Sequence, residues 1–162
     1  MPFSFLKFLG PLLFVILAVE VSARDSGPIR VLFLGHEAEN HRSDLYYPML
    51  AKALGRDGIY FDYVTTPEAA FADLDHLARY DAVLLYANHQ TIERPHWENL
   101  KTFVERGGGF VPVHCASWCF QNILEFDQLV GGRFKSHQSG VFAPKTVLRD
   151  HPAMAGVPEF EA

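Results

Sequence analysis

Two cysteines among 162 residues are too few for a disulfide framework, and Cys115 and Cys119 stand four apart, so no CxxC pair is present to hold zinc. HExxH is missing as well. No apolar run leads into GxGxxG: the loop GHEAENH after Leu34 lacks the spacing, and Gly107, Gly108 and Gly109 precede their strand where a pyrophosphate cradle would follow it. NAD and flavin are excluded on that ground. There is no basic stripe either, since 14 Lys and Arg are dispersed among 19 Asp and Glu for a net charge of -5, which excludes a nucleic-acid partner. Internal repeats and low-complexity linkers are absent. What remains, at 49% hydrophobic and 20% charged residues, has the make-up of one globular domain with a core of moderate size.

A single long apolar run stands apart from that domain. Lys7 is the only charge ahead of residues 8–19, and Val21, Ser22 and Ala23 then supply the small residues a signal peptidase reads. The pattern predicts a signal peptide over residues 1–23, with 24–162 as the folded domain. The alternative is a retained anchor over 3–21, but Gly10 and Pro11 interrupt that stretch and Glu20 ends it. Either way the domain is expected to be exported, periplasmic or extracellular, with membrane contact only through this segment. Export would permit a Cys115–Cys119 disulfide, yet side chains four apart on a helix point in parallel and suit one poorly.

From Pro28 onward apolar runs alternate with helix-like segments, the pattern of a parallel sheet covered by helices. Strands are expected at 29–34, 60–64, 82–86, 110–113 and 141–148. Asp44 can cap a helix reaching Leu54, with Leu45, Met49, Ala53 and Leu54 on its apolar side. A short helical segment is expected over 67–79. Pro95 fits a first helical turn, and Trp97, Leu100, Phe103 and Val104 form a stripe that stops at Gly107. A broken helix is expected between Trp118 and Val130. Right-handed crossovers then favour a flavodoxin-like, doubly wound sheet in three α/β/α layers with strand order 2-1-3-4-5. Pro112 conflicts with a central fourth strand because it lacks a backbone donor, so the ladder there should be interrupted or bulged.

In that order the carboxyl ends of strands one, three and four lie side by side, and each carries a histidine: His36, His89 beside Asn88, and His114 beside Cys115. His41 in the first loop and His137 ahead of the fifth strand bring as many as five histidines to one crevice. His76 and His96 fall on helices and are expected to be solvated, and His151 precedes Pro152 in a turn and reads as structural. Three chemistries compete for the cluster. Neutral imidazoles, with Glu37, Glu39 or Asp44 for an oxygen, would suit a divalent metal such as zinc, although no spacing specifies one. Histidines titrating near neutrality would serve acid–base chemistry on a polyol or carbonyl. Cys115 could act as a nucleophile activated by a histidine and the start of the next helix.

The motifs RVLFLG, HRS at His41–Ser43, DAVLLYAN, ERGGGFVPVH, LVGGRF with His137 after it, and HPAMAGVPEF occur in an order that resembles the ThuA-like (trehalose utilisation) domain of the class I glutamine amidotransferase-like superfamily. The similarity runs from Arg30 onward. It implies carbohydrate utilisation, and so a sugar-derived small molecule in the strand-end crevice; of the residues read there, His114, Cys115 and His41 are the candidate catalytic residues and His36, His89, Asn88 and His137 the candidate substrate contacts. It also sets Cys115 where that superfamily keeps the cysteine that attacks a glutamine amide, which leaves an amidase-like hydrolase as the alternative, and a sugar-binding module without turnover as another. VHCASW lacks the glycines that flank such a cysteine. The resemblance further implies that residues 24–162 correspond to the amino-terminal part of a longer, here carboxy-terminally truncated, domain.

Overall fold

In the computed structural model, residues 27–36, 38–141 and 143–159 are described, so the segment expected to be a signal peptide, Glu37 and Phe142 lie outside the described residues. Four strands form one all-parallel sheet: β1 (Ile29–Leu34), β2 (Ile59–Val64), β3 (Ala82–Leu85) and β4 (Gly109–Pro112), in the order β2-β1-β3-β4. Between them run α1 (Ser43–Leu54), α2 (Pro67–Ala70), α3 (Leu74–Leu77) and α4 (Arg94–Glu105), and α5 (Leu124–Val130) follows β4. The fold is the expected α/β flavodoxin-like arrangement through its first four strands.

Strand alternation sorts the core onto one face of this sheet. In register, Leu32 stands beside Val83 and Leu34 beside Leu85, and all four are fully buried under Phe71, Leu77, Trp97, Leu100, Phe120 and Phe126. Each such side chain stabilises the fold by about 1.5–3 kcal/mol relative to an exposed one. The stripe on α4 is as expected, with Trp97, Leu100 and Phe103 buried and Pro95 in the first turn. Across the sheet Phe33 meets Tyr47 of α1 and Tyr63 of β2 edge-on. There Val111 remains 48% exposed, and Ala82 and Leu84 are only partly buried, so β3 is fully buried on one face rather than two.

Three local expectations require correction. The helix α1 begins at Ser43 with Arg42 at its cap position, and Asp44 lies in the first turn, engaged by the Arg42 guanidinium instead of capping the backbone. Its inward face runs through Ser43 and Tyr47, while Leu45 and Met49 are 55% and 64% exposed, because the stacking of Tyr47 on Tyr63 sets the helix's rotation. No fifth strand forms among the described residues of 141–148: Val141, Val147 and Leu148 stand in solvent, and an apolar alternation without a paired edge has nothing to hold it extended.

Pro112 proves compatible with an unbulged strand. Gly109 and Val113 donate to Asp81 and Leu85 of the β3 side, so the even-numbered nitrogens of β4 point to the open edge, where a missing N–H leaves nothing unpaired. Of Gly107, Gly108 and Gly109, the last of which opens β4, only Gly107 uses a left-handed backbone (φ 94°), whereas a Cβ on Gly108 would lie 2.3 Å from the Phe103 ring.

Candidate functional site

At the carboxyl ends of β1, β3 and β4 the chain leaves the sheet in three loops, and each is fastened by hydrogen bonds. The first loop is closed by Ser43, whose Oγ accepts from the His36 amide and donates to the His36 carbonyl, both at 2.7 Å. The second is held by the segment after Trp118: the Phe120 and Gln121 amides donate to the His89 and Gln90 carbonyls, and the Asn122 side chain bonds both the amide and the carbonyl of Ile92. Beneath it the Cys119 thiol donates to the Ala87 carbonyl at 3.0 Å. The third loop is the turn His114–Trp118, a 3-10 segment, which the Phe134 amide meets at the Ser117 carbonyl.

These loops wall a cavity of about 590 Å³ lined by His41, Asn88, His114, Cys115, Trp118, Phe134 and His137, with Ser117, Gln138, Ser139 and Gly140 completing it. Among the described residues no lysine or arginine lines it. His41 and His114 approach edge-on with ring centroids 4.7 Å apart, and both hold left-handed backbones, φ 61° and φ 51°. Such angles in side-chain-bearing residues are strained by about 1–3 kcal/mol each and gather where function needs them. Burial and the neighbouring His114 hold the His41 imidazole below its ordinary range, so at neutral pH it is an uncharged base.

His114 itself takes the sharp strand-to-helix turn. In hydrolases built on such turns the strained residue is the one whose side chain is exposed at the sheet end. Here that residue is His114, which is exposed, and Cys115 follows it inward, 8% exposed. Burial pushes the Cys115 thiol up to about 11 and Cys119 up to about 12. Both are free thiols. At physiological pH Cys115 is therefore a protonated thiol in the cavity wall.

His36 and His89 do not line the cavity. They form a second pair with centroids 5.8 Å apart; a ring nitrogen of His89 bonds the Gly35 carbonyl at 3.2 Å, and His36 Nε2 is buried with no hydrogen-bond partner among the described residues. Both are held below the ordinary histidine range, first by burial, and His36 also by His89. Among the described residues no three His, Cys, Asp or Glu side chains are placed to share a metal ion. His137 sits against Phe134 with centroids 5.6 Å apart, and Phe134 meets Trp118 edge-on at 5.9 Å. The aromatic wall of Trp118 and Phe134 went unread in the sequence. The only cue was their flanking of the two glycine-bounded motifs, and apolar periodicity assigns such residues to a core.

Fold and crevice together define a flavodoxin-like α/β domain with a histidine-lined cavity at its strand ends, the place where open parallel sheets bind small molecules. The chain belongs to the ThuA family, described as trehalose utilisation, whose model matches residues 30–162. Its fold is similar to the crystal structure of a ThuA-like protein from Bacteroides uniformis (TM-score 0.70, 19% identity, covering 85% of this chain and 60% of that one). A ThuA-like protein from Parabacteroides merdae gives a TM-score of 0.63 at 18% identity, over 83% of this chain and 60% of its own. The chain thus spans about 60% of the length of these solved relatives. No curated protein matches it.

Proposed function

We propose that this domain acts on a neutral, sugar-derived small molecule by histidine acid–base chemistry, with His41 and His114 as the acting pair. The observation that carries the reading is that pair: two strained histidines in edge contact on the wall of one cavity, one of them held neutral. A neutral imidazole accepts a hydroxyl proton, and a partner imidazole within reach can return one to a leaving oxygen or a carbonyl. Trp118 and Phe134 offer apolar faces of the kind that pack against the C–H face of a sugar ring, while Asn88, Ser117, His137 and Gln138 supply donors and acceptors for its hydroxyls. The described lining, built of aromatic, neutral polar and histidine side chains, favours an uncharged ligand over a phosphorylated one. The protonated state of Cys115 favours this reading over a thiolate-dependent amidase.

Calorimetric titration with trehalose and with its keto derivatives, alongside turnover assays, tests the proposal. The protein is expected to bind at least one of them, His114→Ala to abolish that binding while melting as a folded chain, and Trp118→Ala to weaken it about tenfold or more, the loss expected for one buried aromatic contact. Undiminished binding by His114→Ala would overturn the reading. We further propose export, with the mature chain starting at Arg24. Amino-terminal sequencing of the secreted protein checks this, and a start at Met1 in the membrane fraction would sink it.

A further inference from the structure

We propose that Ser43 is the positioning residue of the site, a hydroxyl clamp that seats His41 against His114. Among the described residues Ser43 is the one polar side chain that is fully buried. Its hydroxyl has one proton and two lone pairs, and all three are used: the proton goes to the His36 carbonyl, one lone pair takes the His36 amide, and Tyr63 Oη lies 3.0 Å away as the third partner. A side chain that bonds both the N–H and the C=O of a residue seven positions earlier closes the intervening loop into a ring. The ring tightens further at its carboxyl end, where the Ser43 amide donates to the His41 carbonyl at 2.8 Å across Arg42, whose φ of -64° and ψ of 77° are those of an inverse γ-turn.

His41 is the first residue of that turn, at φ 61°, a conformation that persists only where the surroundings over-determine it. Gly35 is part of the same device. A Cβ there would fall 2.4 Å from Ser43 Oγ and 2.7 Å from Tyr63 Oη, so the first loop can close on Ser43 only while residue 35 has no side chain. The clamp lies outside the apolar core under α2 to α5, none of whose members it touches through these bonds.

That His41 is half of an acid–base pair rests on the proposed function, whereas the clamp itself does not, and the experiment separates them. Histidine-labelled protein is followed by NMR, reading the His41 ring titration and the ring-to-ring contact between His41 and His114. Wild type should titrate His41 below 6.5, the value of an unperturbed histidine. Ser43→Ala, and independently Gly35→Ala, should move it up toward that value and abolish the ring contact. Tyr63→Phe, which leaves both bonds to His36, should keep the wild-type titration even if it melts earlier. Folded Ser43→Ala and Gly35→Ala proteins with an unmoved His41 overturn the proposal. Loss of folding in both variants overturns it too, since Ser43 would then hold the fold rather than the loop. If the titration moves as expected but wild type neither binds nor converts any sugar, the clamp stands and the acid–base reading falls.

Discussion

At the scale of single residues, the site is governed by which groups carry charge near neutral pH. Cys115 occupies the position that invites a nucleophilic reading, yet burial raises its thiol to about 11. Against an unperturbed thiol at 9.0, that leaves the thiolate population at pH 8 about a hundredfold smaller. Alkylation of the native protein with iodoacetamide at pH 8, followed by mass spectrometry, should therefore modify Cys115 about a hundredfold more slowly than a free cysteine, and Cys119 more slowly still. Labelling at the free-cysteine rate would restore the nucleophile. The strain at His114 points the same way, because the turn that exposes one residue at the strand end exposes His114 and turns Cys115 inward.

Among the secondary-structure elements, α1 and α4 contrast in how well an apolar stripe predicts burial. The stripe on α4 faces a sheet surface already lined by Leu32, Leu34, Val83 and Leu85, so its periodicity and its burial coincide. On α1 nearly every position from Leu45 to Leu50 except Pro48 is aromatic or large and apolar, so periodicity does not choose a face, and the Tyr47–Tyr63 stack does. Urea melts should register the difference. Trp97→Ala should cost about 3–5 kcal/mol, as for a large buried ring, while Leu45→Ala should change stability by less than about 0.5 kcal/mol, as at an exposed site. A loss of several kcal/mol for Leu45→Ala would mean that α1 packs by the other face.

Over the whole molecule, the shifted groups define a pH window of stability. His36, His41, His76 and His89 all bind protons less readily when folded, each chiefly through burial. A depressed histidine leaves stability intact above its unfolded value near 6.5 and removes it as pH falls through the folded value, because the unfolded chain then takes up more protons. The raised thiols act at the other end: their contribution is full below the unfolded value of 9.0 and is lost as pH rises toward 11 and 12. Thermal melts should thus plateau between about pH 6.5 and 9 and fall on both sides. A melting temperature that is level from pH 7 down to 5 would contradict the burial of these imidazoles.

Local pattern was enough to locate the four strands, the α4 stripe and the strand-end histidines, because a buried parallel strand and an amphipathic helix leave their periods in the residues themselves. The same reading could bring His36, His41, His89, His114 and His137 to one end of the sheet, since strand order and crossover handedness are few-valued. Which of them touch was decided by the tertiary structure alone. His41 meets His114 because a buried hydroxyl closes the loop between residues seven positions apart, and His36 turns instead to His89. Among the described residues of 141–148 the fifth strand is absent for a related reason: Val141, Val147 and Leu148 are strand-like, but a strand exists only by pairing, and no partner is recorded in the segment's own sequence.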